Sequence, residues 1–279
     1  MSPTIFLALL GAAALHAGWN ALVRRDLDRA AAATAIAAGG TVLGLAVVPF
    51  LPAIAPAAIP YAIASSTTHI FYYLLVARAY RHGELSVVYP IMRGLAPLIV
   101  TFAGALFIER PAPMVAGGIA VLAFGIVALG ADGLRHGRGG LGAALGNATV
   151  IAAYTLIDGI GARVSGSPVA YTAWLEIGGG LATVAWVVIR GGRGVIGPLM
   201  ARARFGLVGG GMSFAAYVIV LWAMTLAPIG AVAAVRESSV LFATAIGAIA
   251  LHERFGTMRW VAAAFVVGGL ALIKFGGAG

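Results

Sequence analysis

The sequence predicts an all-α integral membrane protein, with ten transmembrane helices forming two inverted five-helix repeats around a central cavity. Three observations lead there. Hydrophobic residues make up 61% of the chain and charged ones 10%, with a mean hydropathy of +1.01; a soluble domain of this length needs far more charge to cover its surface. About ten apolar runs each approach the roughly 20 residues a helix needs to cross a bilayer. The second half of the chain also repeats the polar landmarks of the first. A net charge of +9 raises the question of nucleic acid. Its basic residues are scattered through short loops, however, as in membrane proteins, and are not gathered on one face. The expected partner is the lipid bilayer, with no nucleic acid.

The spans follow in order. The first, 4–23, comes straight after Met1-Ser2-Pro3-Thr4; lacking a basic leader, it reads as a retained span and not a cleaved signal. Arg24-Arg25-Asp26 ends it, and 31–53, 60–80, 86–107 and 113–132 complete the first unit. The basic stretch Arg135-His136-Gly137-Arg138 separates this unit from 141–162 and 168–189. A polar connection from Gly191 to Arg204 then precedes 205–226, 229–250 and 258–276. The two units are thus residues 1–134 and 139–279. The connections after odd-numbered spans hold about thirteen Arg, against about three Arg or Lys on the opposite face. The positive-inside rule therefore places the odd connections in the cytoplasm and both termini outside.

An offset of 144 residues lays Tyr73 on Tyr217, Glu109-Arg110 on Glu253-Arg254 and Gly125 on Gly269, and brings Arg236 one place from Arg93. An offset of 138 lays His16 on Tyr154 and Asn20 on Asp158. Five spans per unit is an odd number, so the copies are expected upside-down to each other, an arrangement that sets a binding site near the midplane.

Polar residues four apart share a helix face: His16 with Asn20, His69 with Tyr73, Tyr89 with Arg93, Tyr154 with Asp158, and Ser213 with Tyr217. In a bilayer such faces turn inward, so they are expected to line a polar cavity. Arg93 and Arg236 each sit about eight residues inside a span, where a charge is costly unless it meets an acid, water or a ligand. For Arg93 two readings stand: a guanidinium that pairs with a substrate carboxylate or phosphate, or an internal ion pair with Asp158 or Glu176. For Arg236 the following Glu237 raises the question of which of the two faces the cavity, since neighbours on a helix do not share a face. Asp158, Glu176 and Glu237 are acids in apolar surroundings and candidates for proton coupling; His16 and His69 are candidates for relaying protons or for bonding between helices. Glu109 and Glu253, each followed by Arg, read as interfacial anchors or gate salt bridges.

No Cys is present, so a disulfide framework and thiolate metal sites are excluded. No G-x-x-x-x-G-K-[ST] loop occurs, and His252-Glu253 lacks the second His of a zinc helix. No cofactor or metal is expected.

Several stretches resemble the EamA-type branch of the drug/metabolite transporter superfamily. These are Leu15-His16-Ala17-Gly18-Trp19-Asn20-Ala21-Leu22, the run from Val88-Tyr89-Pro90 through Arg93-Gly94 to Pro97-Leu98, and Ala153-Tyr154 through Asp158 to Arg163. Ala234-Val235-Arg236-Glu237-Ser238-Ser239-Val240-Leu241-Phe242 and Glu253-Arg254 complete the set. The resemblance covers essentially the whole chain. It implies ten helices, inverted repeats, a central cavity and secondary transport of small metabolites, often export, without naming a substrate. Two departures stand out. Relatives of known fold keep both termini cytosolic, the reverse of the charge count. The related small multidrug pumps use a Glu in the first helix, where this chain has His16 and Asn20.

The expected function is a secondary transporter of a bacterial inner membrane, monomeric or homodimeric and not an enzyme. It would move a small anionic or zwitterionic metabolite by alternating access. The rival expectations are a lipid-carrier flippase and an intramembrane lipid-modifying enzyme.

Overall fold

The computed structural model describes residues 1–131, 139–250 and 257–276. Glu253 and Arg254 lie outside the described residues, as does the side chain of Tyr73. The described residues form helices and turns, with no strand among them.

Local chemistry sets the helix starts. Ser2 caps α1 (Pro3–Arg25), its hydroxyl accepting from Ile5 N at 3.3 Å, with Pro3 in the first turn where a missing N–H costs nothing. Asp28 does the same for α2 (Arg29–Val47), accepting from Ala31 N at 3.0 Å. Two 3₁₀ turns lead to α3 (Ile59–His82), followed by α4 (Leu85–Phe107) and α5 (Pro113–Ala131). Helix α6 (Leu141–Val164) starts at Gly140 with φ +74°, where a Cβ would also lie 2.5 Å from the Ala79 carbonyl, so only glycine fits. Ser167 caps α7 (Pro168–Gly191). Where the sequence suggested a plain connection there is a short α8 (Ile196–Ala201) before α9 (Ala203–Leu226). The expected span 229–250 is two helices, α10 (Ile229–Arg236) and α11 (Ser239–Ala250), and α12 (Thr257–Gly276) ends the described chain.

Eight segments are long and apolar enough to cross a membrane: Pro3–Arg25, Arg29–Phe50, Val87–Phe107, Leu141–Val164, Pro168–Gly191, Ala203–Leu226, Ile229–Ile246 and Thr257–Gly276. Helix α5 has an apolar stretch, Pro113–Leu129, that is slightly shorter. Helix α3 is long but carries Ser65-Ser66-Thr67-Thr68-His69. Three of these hydroxyls donate to their own i−4 carbonyls, at Ala62 (2.9 Å), Ile63 (2.9 Å) and Ala64 (2.7 Å). Satisfying the hydroxyls internally lowers the cost of placing them in apolar surroundings. Large apolar side chains such as Phe71, Phe102, Phe124, Leu181 and Val267 are exposed on the outside of the bundle. That is the inverse of a soluble surface and suits lipid contact.

Small residues bring α2 and α9 into backbone contact. A Cβ on Gly39 would lie 2.0 Å from the Gly206 carbonyl oxygen, and one on Gly210 would lie 2.4 Å from Gly40 N. Without a hydrophobic drive between helices in lipid, such close van der Waals approach is a main source of adhesion. Helix α5 packs on α12, α2 on α7, α3 and α4 on α6, and α1 on α9 and α11.

Candidate functional site

These contacts leave a cavity of about 330 Å³ inside the bundle, walled by α1, α2, α3, α4, α6, α7, α9 and α10. His16, Asn20, His69, Tyr89, Arg93, Tyr154, Glu176, Tyr217 and Arg236 reach it together. Asp158 and Glu237 lie behind the wall, each fully buried. On α1, α2 and α4 the cavity extends toward the ends that carry Arg24-Arg25 and Glu84.

The opposite end is held by Arg163, at the close of α6. Its guanidinium donates to both Glu109 oxygens (3.0 and 3.1 Å) and to the carbonyls of Met224 (2.7 Å) and Ala227 (3.1 Å). Glu109 in turn accepts from Ile229 N at 2.6 Å, so an acid sits at the positive end of α10. The Glu109 read as an anchor or gate is thus a clasp between α4, α6, α9 and α10.

Both interior arginines converge on one acid. Arg93 Nε lies 2.8 Å from Glu237 Oε2, and Arg236 Nη2 lies 3.6 Å from Glu237 Oε1. The partner of Arg93 is therefore Glu237, not Asp158 or Glu176. The reason is a break in the helix. At Glu237-Ser238 the bonding shortens to i→i−3, with Glu237 N on Ala234 O, Ser238 N on Val235 O and Val240 N on Glu237 O. Regular helix stops there, so Arg236 and its neighbour Glu237 are released from the spacing that would turn them to different faces. On α4, Pro97 has no N–H for the carbonyl of Arg93 one turn back, which loosens that helix at the same depth.

The ion contacts are close but not aligned as hydrogen bonds. Arg93 Nε and Nη2, Arg236 Nε and both Glu237 carboxylate oxygens are buried without an aligned hydrogen-bond partner, as is Trp19 Nε1 on the cavity wall. Buried donors in this condition are costly unless something accepts from them. Two guanidiniums sharing one carboxylate carry a formal excess of one positive charge, and unused N–H groups accompany it.

Asp158 is fitted differently. The hydroxyls of Tyr217, from α9, and Tyr171, from α7 (3.4 Å), donate to its two oxygens. The sequence places it near the end of its span, suggesting a helix-end contact; helix α6 runs on to Val164, and the acid lies inside a tyrosine pair. His69 stacks on Tyr154 with ring centroids 4.4 Å apart, and its Nδ1 is 2.9 Å from Ser65 O. The Asn20 amide donates to His16 O at 2.7 Å, within its own helix. Sequence reasoning passed over Trp19, Ser65 and Tyr72 on the cavity wall, and Tyr171 behind it. The first three lie three or four residues from His16 or His69, so helical spacing would have found them; nothing in the sequence marks Tyr171.

The model of the EamA-like transporter family matches residues 138–275. The chain belongs to the EamA-like transporter family. Members of this family, part of the drug/metabolite transporter superfamily, are transporters, so this EamA-like chain is a multi-pass membrane protein of the drug/metabolite transporter type. One crystal structure of a protein aligns with it at a TM-score of 0.69 and 21% identity, covering 97% of this chain and 96% of the other. At that identity the likeness speaks for the fold alone. A search of curated proteins gave no match.

Proposed function

We propose that this chain is a secondary transporter that moves a small anionic or zwitterionic metabolite outward by alternating access. The observation that carries the reading is the pair of buried arginines sharing Glu237 at the wall of this cavity. Their spare positive charge suits a substrate carboxylate or phosphate. Tyr89, Tyr154, Tyr217, His16, His69 and Asn20 are assigned to orienting the remainder.

We further propose ten spans in two inverted repeats, residues 1–134 and 139–279, with α3 and α5 joining the eight apolar segments. Helix bounds support this. Shifted by 144, the bounds 59–82 of α3 become 203–226, those of α9, and the start of α5 at 113 becomes 257, the start of α12. Shifted by 138, α1 at 3–25 falls on α6, which begins at 141. Several elements also pack on their own counterparts, α5 on α12 and α2 on α7, and Arg93 meets Glu237, 144 residues on. The basic connections are assigned to the cytoplasm of a bacterial inner membrane. The cavity's reach toward those ends then supports loading from inside. Proton coupling is assigned to Asp158, which shares the Tyr217 hydroxyl with the cavity wall; Glu237 stays with the arginines.

The test is transport by reconstituted protein, using a panel of labelled carboxylates and amino acids. Arg93→Ala is expected to insert normally and to lose transport by roughly 10–150-fold, the equivalent of about 1.5–3 kcal/mol for a charge-assisted contact. Unchanged transport would sink the assignment.

A further inference from the structure

The wall facing the arginines also carries a charge. Glu176, on α7, lines the same cavity. Helix α7 packs mainly on α2 and α9, with α3 and α6 beside it, and neither α4 nor α10, the helices that carry the arginines, is among its main neighbours, so acid and arginines stand on different walls of the cavity. Nothing answers the carboxylate. Among the described residues it has no hydrogen bond and no ion pair, in contrast to Glu237, Asp158 and Glu109. The hydroxyl of Thr41 approaches Glu176 but takes its main-chain carbonyl, at 3.2 Å. Gly40 gives the carboxylate only room, since a Cβ there would lie 2.4 Å from Oε2.

Counting charge makes the consequence concrete. Arg93 and Arg236 contribute two positive charges, Glu237 cancels one, and Glu176 is equal and opposite to what remains; Asp158, behind the wall, is answered separately by the Tyr171 and Tyr217 hydroxyls. The ionised wall is neutral overall but divided into two poles. A simple carboxylate bound at the arginines would leave Glu176 alone in a low-dielectric cavity, and a simple amine bound at Glu176 would leave the spare arginine charge. Uncompensated charge at this depth is the costly case. A ligand that brings both charges answers both poles and adds none. A volume of about 330 Å³ lies at the low end of ligand cavities, which requires that ligand to be small.

We infer that the cavity selects a small zwitterion, with Arg93 and Arg236 holding its carboxylate and Glu176 holding its ammonium group. The inference rests on the anion-binding reading of the arginines and narrows it, and it makes Glu176 a specificity-determining residue.

The experiment is ligand-dependent thermal stabilisation of the purified full-length chain with matched probe sets. Each set holds an amphoteric molecule, its des-amino acid and its des-carboxy amine: leucine with 4-methylpentanoate and isopentylamine, phenylalanine with 3-phenylpropanoate and phenethylamine, 4-aminobutyrate with butyrate and propylamine. Wild type is expected to bind at least one amphoteric probe about tenfold or more tightly than its des-amino partner, a gap of about 1.4 kcal/mol. Glu176→Gln should shrink that gap to about twofold, while Arg93→Ala weakens acid and amphoteric probe together. The wild-type ranking is a test even if a variant folds poorly. Des-amino acids that match their amphoteric partners on wild type, a gap that survives Glu176→Gln, or silence across the panel would each overturn the inference. Carboxylates that bind through Arg93 but ignore Glu176 would overturn it while leaving the anion site standing. Probes indifferent to Arg93 would remove the anion site itself.

Discussion

Replacing Glu237 should harm the fold more than replacing Arg93, although the two face each other across one contact. At an effective dielectric of about 20 the gross attraction is about 6 kcal/mol for the 2.8 Å contact and about 5 kcal/mol for the 3.6 Å contact. These gross figures are close, so Glu237 keeps a partner when Arg93 is removed. Arg93→Ala is then expected to cost no more than about 2 kcal/mol. Glu237→Ala instead leaves two buried guanidiniums without an acid, the situation in which breaking a buried pair costs about 3–5 kcal/mol. At roughly 2–4 °C per kcal/mol for a chain of this size, Glu237→Ala should lower the midpoint by roughly 6–20 °C and Arg93→Ala by at most roughly 8 °C. The double variant should lose less than the sum of the singles, because it removes one of the stranded charges along with the acid. The assay is thermal unfolding of all four proteins in the same detergent. Equal losses for the two single variants, or strict additivity in the double, would refute the shared-acid arrangement.

Two glycines offer a paired comparison, and the surface offers a pH effect. Gly39→Ala forces a methyl to within 2.0 Å of the Gly206 carbonyl oxygen, with rigid backbone on both sides, and should cost about 1–3 kcal/mol or more. Gly179→Ala, inside α7, meets nothing within 4 Å and should leave the midpoint unchanged or raise it by the helix preference of Ala over Gly, about 1 kcal/mol at most. Outside the membrane-spanning helices, the Arg202 guanidinium donates to both Asp26 oxygens (2.9 and 2.8 Å) and holds that carboxyl below the usual carboxylate range, helped by the Asp28 backbone N–H. A depressed carboxyl stabilises above its unfolded pKa, about 3.9. The contribution should therefore be intact at neutral pH and disappear as pH falls through the folded value. Asp26→Asn should show a smaller loss of midpoint between pH 6 and 3 than wild type does, and parallel curves would refute this.

The helices were largely legible because apolar run length is a strong signal: expected spans at 60–80, 168–189 and 205–226 differ from α3, α7 and α9 only by a few residues at the ends. The central cavity was legible too, since polar residues four apart in an apolar helix have few other places to point. What the sequence hid was the partner of Arg93. Reading Arg236-Glu237 as continuous helix forces the two onto different faces, and Ser238-Ser239 contains neither Pro nor Gly to announce a break. The tightening to i→i−3 bonds is a tertiary effect, and so is the seat of Asp158 between tyrosines from α7 and α9. Pairing across the bundle depends on which helices meet, and spacing along one helix does not carry that information.

Helix α10 is only eight residues long, a rod of about 12 Å at 1.5 Å per residue. One tip is grasped by Glu109, which Arg163 holds in turn, and the other tip carries Arg236. Between them run Ile229 to Val235, all buried apart from Gly230 and without a proline. The lock at the closed end of the cavity and the charge in its wall are therefore opposite handles of one stiff lever, and the Glu237-Ser238 break is its only seam with α11.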